Sequence, residues 1–292
     1  MYHRRDAIYP ATVVGRPRQE DFFIGDFLQD LLSPLFPLVM GSVRQLKTFG
    51  ETGFHCLAAA RVMDRYPREA FGAGLRILGE GQLSLTKFLI LTDGEVDVAD
   101  FAKLWPHVLE RVDWGKDLFV FANVSQDTLD YTGPSVNKGS KAMLMGLGQK
   151  PLRDLPQTFS GSLPEMLKNS RVFLPGTLVA EGPGYRVAPE LAQKVAAWPG
   201  LDAWPVVILV DDVPAATKNM QEFLWTLFTR FEPAADIHGA GQCVSRFHVG
   251  LKSPIVFDCR MKPWYTDILE VDPETKEKVD ARIHEILPAR WR

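Results

Sequence analysis

The chain has 292 residues, 46% of them hydrophobic and 24% charged, and carries a net charge of −3. That length suits one large domain or two modest ones, and the usage is that of a soluble globular protein, not of a disordered or fibrous chain. Lys and Arg are scattered without a basic stripe, so nucleic acid and anionic membranes are not indicated as partners, and a small molecule or a protein is favoured.

Cys56, Cys243 and Cys259 are an odd number without CxxC spacing, which argues against a disulfide framework and a zinc site and fits a reducing cytoplasm. Met1–Asp6 is basic but is followed by no apolar h-region, so it does not read as a signal peptide. The longest apolar runs, such as Val206–Val210, are strand-sized and too short to span a bilayer.

Residues Ala7–Val14 read as a short strand that meets Gly15 and Pro17 in a loop. From Asp21, the residues Phe22, Phe23, Phe27, Leu28, Leu31, Leu32 and Leu35 recur at three- and four-residue steps, predicting a helix with an apolar stripe. Asp21 is placed as its N-cap or in its first turn, and Pro34 and Pro37 end or kink it. A strand at Phe54–Ala60, a helix over Arg68–Leu78 and a strand at Lys87–Leu91 follow. The run ending at Asp93 is apolar enough for a strand buried in a parallel sheet. Val98–Val112 carries helical spacing, and Asp117–Phe121 reads as another strand.

The same order then returns. Pro205–Asp212 answers the strand at Lys87, Phe223–Arg230 answers Lys103–Arg111, and Asp236 answers Asp117. This is an internal duplication with a period of roughly 120 residues, too long for a solenoid and suited to two β-α-β units. The expected fold is α/β, with mixed or parallel sheets flanked by helices, divided into halves at 1–150 and 151–292. Gln149–Pro175 is the candidate linker, and Trp105 and Trp225 are expected in the core of the crossover helices.

The sharpest local constellation is Arg16, Glu20 and Asp21 between a strand and a helix. An arginine beside two acids can hold one ionised while burial raises the pKa of the other, which is what proton transfer needs, but a solvated turn with a helix cap reads equally from spacing. Gly79-Glu80-Gly81, Gly139-Ser140-Lys141 and Gly146-Leu147-Gly148 lack phosphate-loop spacing and read as turns. Asp93, Asp211 and Asp212 fall at carboxyl ends of strands, where a ligand crevice or helix capping is expected. His55, His107, His238 and His248 show no ligand pairing and read as surface residues, and no nucleophile-elbow or Cys-His pattern occurs.

Val13-Val14-Gly15-Arg16-Pro17-Arg18-Gln19-Glu20-Asp21, with Gly25 following, resembles the VVGRPPQED-x-x-x-G signature of the UbiD family of decarboxylases. Gly81–Asp93 with Val96-Asp97-Val98, Gly139-Ser140-Lys141, and Phe228-Thr229-Arg230 with Pro233-Ala234-Ala235-Asp236 are similar to further family segments in the same order. The resemblance implies a UbiD carboxy-terminal-domain-like fold and reversible, non-oxidative decarboxylation of an aromatic or α,β-unsaturated acid with prenylated FMN and a divalent metal, as in ubiquinone and menaquinone biosynthesis.

It further implies catalytic roles on the acidic loop: Glu20 as proton donor with its pKa raised by desolvation, Asp21 as its neighbour and Arg16 orienting the loop. It brings Asp127–Tyr131 near the substrate. No segment matches the family's metal-ligand motif; Glu181-Gly182-Pro183-Gly184 shares letters but lies downstream of the acidic loop. The chain is therefore expected to be a fragment or one subunit of a split enzyme whose flavin-binding half comes from another chain, the isolated chain is expected to be inactive, and a cytoplasmic homo-oligomer is expected. The alternative is a non-catalytic assembly or regulatory paralogue on the same scaffold.

Overall fold

The computed structural model describes residue 23, residues 25–265 and residues 272–286. The expected strand at Ala7–Val14 and the loop residues Arg16, Glu20 and Asp21 lie outside the described residues. The chain divides into two compact units, one of them Arg16–Tyr265. In the other, the described element is a helix, Pro273–Ile286.

The leading segment is a π-helical turn, Phe27–Leu32, running through a 3-10 turn, Ser33–Leu35, into a short helix α1, Phe36–Val39. Strand β1, Val43–Thr48, is antiparallel to β2, Leu57–Val62. Helix α2, Glu69–Gly79, crosses to β3, Phe88–Thr92, which runs parallel to β2. Helix α3, Phe101–Arg111, leads to the edge strand β4, Leu118–Ser125, and β5, Lys138–Gly146, returns between β4 and β3. The sheet order is β1-β2-β3-β5-β4.

The second sheet repeats the plan. Its strands are β6, Asn169–Leu174, β7, Thr177–Glu181, β8, Val206–Val210, β9, Ile237–Ser245, and β10, His248–Asp258. Helices α4, Leu191–Ala196, and α5, Val213–Ala216, lie on either side of β8 in sequence, and α6, Met220–Thr229, and α7, Pro233–Asp236, precede β9. The order β6-β7-β8-β10-β9, with the β7–β8 and β8–β10 pairs parallel and both outer pairs antiparallel, reproduces the first sheet pair by pair. The expected α/β fold with mixed sheets and a duplicated β-α-β unit is the fold observed.

Strands β3 and β8 are buried along their whole length on both faces, as their unbroken apolar runs require of central parallel strands. One face of each sheet meets a shared core in which Phe101, Trp105 and Val108 of α3 pack with Phe223, Leu227 and Phe228 of α6. The outer face of the first sheet is covered by Ala70, Ala73 and Ile77 of α2, and that of the second by Leu191, Ala192 and Val195 of α4. Trp105 is fully buried and its indole N–H donates to Thr177 Oγ1 of the second sheet at 2.9 Å, so a side-chain hydrogen bond as well as apolar surface joins the two halves.

Some expectations shift in register. Trp225 is half-buried, not a core residue: burial pairs Leu104, Trp105, Val108 and Leu109 with Phe223, Leu224, Leu227 and Phe228, one residue out of step with the letter match. Phe54, His55 and Cys56 form the turn before β2, with Phe54 at φ 71, so that strand begins at Leu57. The end of the expected linker is strand β6, which joins β7 through Gly176 at φ 75, a backbone state that glycine enters without a Cβ clash.

The leading apolar stripe is carried by a π turn, a 3-10 turn and a short helix, not by the single helix expected. Phe23, Phe27, Leu31 and Leu35 face outward, while Ser33, Phe36 and Met40 turn to the sheet. Ser33 fixes that orientation, because its Oγ accepts the Leu46 N–H of β1 at 3.1 Å. A Cβ on Gly25 would lie 2.5 Å from the Thr48 carbonyl oxygen, so glycine lets the chain approach β1 closely there.

Candidate functional site

Parallel strands β2, β3 and β5 start side by side, and polar residues gather at their amino ends. Lys87 directly precedes β3; its N–H donates to the His55 carbonyl at 2.9 Å, and its own carbonyl accepts from Ala142 at 2.8 Å. The side chain is 1% exposed and its ammonium pairs with Asp130 Oδ2 at 2.8 Å. Burial alone pulls the Lys87 ammonium down, but the adjoining Asp130 carboxylate overrides it and holds the pKa up at about 12. Asp130 Oδ1 accepts the Thr132 N–H at 2.9 Å and its hydroxyl at 2.6 Å, so both carboxylate oxygens are engaged.

Asp130 stands on the connection between β4 and β5, residues 126–137, and that connection is pinned at several points. Asp127 pairs with His55 Nδ1 and also accepts the Leu129 N–H at 3.1 Å, the local turn typical of aspartate. Gln126 Nε2 donates to Thr132 Oγ1 at 3.2 Å. Gly139 makes room for it, since a Cβ there would sit 1.5 Å from Gln126 Oε1. The Cys56 thiol points at Asp130 Oδ2 at 3.9 Å, and burial pushes its pKa up to about 12, which keeps it a protonated thiol and not a nucleophile.

Strand β5 supplies Ser140 and Lys141 to opposite faces. Lys141 Nζ donates to the Ser84 and Thr86 carbonyls at 2.6 and 3.2 Å, and burial lowers its pKa although Asp127 and Asp130 oppose the shift. Ser140 Oγ accepts the Ala234 N–H at 2.9 Å, which joins the first half to α7 of the second. Glu232, just before α7, has its pKa raised by burial and by neighbouring Asp236 and Asp130, against the lowering effect of Ser140 and Lys87.

A second polar cluster lies past the carboxyl end of β10. The fully buried Arg260 clasps Asp258 with two hydrogen bonds of 2.8 and 2.6 Å and donates to the Pro183 and Ala188 carbonyls. Its guanidinium stands 5.3 Å from the centre of the Tyr185 ring. Lys262 pairs with Asp236 at 3.2 Å and donates to the Arg230 carbonyl at 3.0 Å. Tyr131 and Tyr265, ring centroids 5.0 Å apart edge to face, connect this cluster to the first.

The segments singled out in the sequence thus converge. Lys87, Ser140-Lys141, Asp127–Tyr131 and Arg230–Asp236 border one polar seam between the halves. Asp117 and Asp236, the repeated acids, play the same part: each accepts the backbone N–H of the residue four before it, at 2.8 and 2.7 Å. Asp212 is the N-cap of α5, accepting from Ala215 at 2.8 Å, as capping requires. Asp93 and Asp211 are not caps; they tie loops, accepting from Gly148 and Met261 at 2.9 and 2.8 Å. Asp100 caps α3.

His55 is buried, not at the surface, because Asp127 draws it inward. The parts of Lys87, Arg260 and Lys262 were missed; the signal was a charge at the mouth of an apolar run, and alternating charges at Asp258, Arg260 and Lys262.

The family resemblance implies a prenylated flavin with a divalent metal, and the described residues can be tested for it. Buried Lys87, Arg260 and Lys262 are each matched by a carboxylate, and Lys141 is taken by two carbonyls. Among the described residues no group of three or more His, Cys, Asp or Glu side chains can hold a metal ion. These residues do not fit the cofactor; the seam is a closed, charge-balanced anchor. Among the described residues no helix is long and apolar enough to cross a membrane.

Residues 22–146 match the family described as 3-octaprenyl-4-hydroxybenzoate carboxy-lyase C-terminal domain. A Chlamydia pneumoniae protein named as a subunit of 4-hydroxybenzoate decarboxylase is 48% identical over 288 residues, 99% of this chain and 49% of that protein. An uncharacterized protein of Aeropyrum pernix is 31% identical over 161 residues, 55% of this chain and 32% of its own. The chain spans about half the length of the chlamydial relatives it matches. Among solved structures, the closed form of Sedimentibacter hydroxybenzoicus vanillic acid decarboxylase is 19% identical with a TM-score of 0.41, over 50% of this chain and 30% of that one. Of the segments that meet at the seam, Lys87, Asp127–Tyr131 and Ser140-Lys141 lie in the matched stretch, so residues 22–146 carry the carboxy-terminal domain of the UbiD family.

Proposed function

We propose that the chain is the carboxy-terminal lobe of a decarboxylase for an aromatic or α,β-unsaturated acid, and that Glu20 is its proton donor. The carbon–carbon bond to the carboxylate breaks, CO2 leaves, and the proton of the Glu20 carboxyl replaces it on carbon; Glu20 is then reprotonated from solvent. Arg16 orients the loop and Asp21 flanks it. Donation needs a protonated acid near neutral pH, which a desolvated loop provides. Prenylated FMN and its divalent metal are held by polypeptide outside the described residues, contributed by an amino-terminal UbiD-like half.

The observation that carries this reading is the alignment of nearly the whole chain with half of a relative named as part of a decarboxylase. On this reading residues 1–150 and 151–292 are the two α/β halves of the lobe, and the enzyme is a cytoplasmic homo-oligomer, with quinone biosynthesis as its setting. Mixing the chain with a flavin-binding half and prenylated FMN and following CO2 release from aromatic acids tests it. Release that depends on both polypeptides supports the lobe. Absence of release with a flavin-loaded, bound half favours the non-catalytic paralogue, a reading for which the fully matched buried cations are the motive.

A further inference from the structure

The stripe Phe23, Phe27, Leu31, Leu35, Leu38 and Val39 has no counterpart in an ordinary surface helix. These six apolar side chains are between 41 and 84% exposed, and five of them follow one another at steps of four or three residues. The other side of the same segment is already satisfied, through Ser33, Phe36 and Met40 against β1 and its core. A continuous apolar face of this kind on a soluble protein marks an interaction surface.

We infer that this face seats the flavin-binding half. The inference rests on the reading given under Proposed function. Glu20, the proposed proton donor, lies only three residues before Phe23 in the sequence, so the face and the donor are neighbours along the chain. The relatives that align with 99% of this chain carry about as much polypeptide again, which supplies an occupant of sufficient size.

Charge narrows its chemistry. From Gln19 to Val43 the chain has Glu20, Asp21, Asp26 and Asp30 and no Lys or Arg; Asp26 is paired with Lys47, and Asp30 is exposed. The occupant is therefore an apolar protein groove with basic side chains at its rim. A second copy would bring an equally acidic segment without Lys or Arg, and an anionic lipid surface would meet the same repulsion.

The test is binding between the full chain and the part of the Chlamydia pneumoniae relative outside the aligned 288 residues, with flavin absorbance showing that this part is folded. Leu31→Asp should weaken binding by at least ~30-fold, as loss of a central apolar anchor does. Phe247→Ser, at a fully exposed site on the β9–β10 hairpin, should leave binding unchanged. An unchanged melting temperature for Leu31→Asp confirms that the fold survives. Equal binding by wild type and Leu31→Asp overturns this inference and leaves the decarboxylase reading intact. Failure of the wild type to bind the folded half overturns that reading and this inference with it. Conversion of a wild-type dimer to a monomer by Leu31→Asp, or its loss of flotation with vesicles of anionic phospholipid, overturns the assigned occupant.

Discussion

The two halves share a sheet plan and differ in how they join their last two strands. Between β4 and β5 the chain spends residues 126–137, and that connection carries Asp127, Asp130 and Thr132 back to the amino ends of the parallel strands. Between β9 and β10 it spends two residues, Arg246 and Phe247, at φ 51 and 65, and the second half's polar residues lie past the carboxyl end of β10 instead. The lesson is that the duplicated scaffold fixes the core while the connections place the charges. The two polar clusters are consequently not repeats of each other, although their sheets are.

The largest expected effect follows from removing one partner of a buried ion pair. Lys87→Met leaves Asp130 charged and dry, and should destabilise the protein by about 3–5 kcal/mol in urea unfolding; Arg260→Met should do the same through Asp258. Lys87→Met with Asp130→Leu should recover much of the loss, because the uncompensated charge goes with it. A loss under about 1 kcal/mol for the single change would show that the long connection is not anchored by this pair.

A smaller effect of opposite sign is expected at the short connection. Both turn residues occupy the left-handed region, where Asn-Gly is favoured and side chains such as Arg and Phe are strained. Arg246→Asn with Phe247→Gly should raise stability by about 1–2 kcal/mol without changing the urea m-value. Unchanged or reduced stability would mean that the exposed turn makes compensating contacts.

The smallest expected effect concerns pH. Burial holds the pKa values of His107 and His238 below the ordinary 6.5, so the unfolded chain takes up protons more readily than the folded one. The stability that comes from keeping these rings neutral is complete above pH 6.5 and is lost as pH falls through their depressed folded values. The urea midpoint should drop between pH 7.5 and pH 5, and drop less in His107→Gln with His238→Gln. An identical drop in that variant would assign the acid sensitivity to other groups.

Legibility in the sequence divided along the same line. The buried strands β3 and β8 and helices α3 and α6 were readable because an unbroken apolar run and a helical period each have one folded solution in a two-faced sheet. The duplication was readable from Asp117 and Asp236, whose shared backbone contact explains why the acid recurs. The polar seam was not, because Lys87 and Asp130 meet only after the chain has closed a long connection, and spacing carries no trace of that pairing. The leading segment was read only as a helix with an apolar stripe, since periodicity reports that a face is apolar and not what covers it. Spacing singled out Glu20 only as one of two acids beside Arg16, and its role as proton donor was reached by family resemblance alone.

That residue is also where the account is most directly exposed. With the chain joined to a flavin-loaded partner half and releasing CO2, Glu20→Gln should lower the rate by about 10²–10⁴-fold while leaving the affinity between the two polypeptides unchanged. An undiminished rate of CO2 release by Glu20→Gln would contradict it.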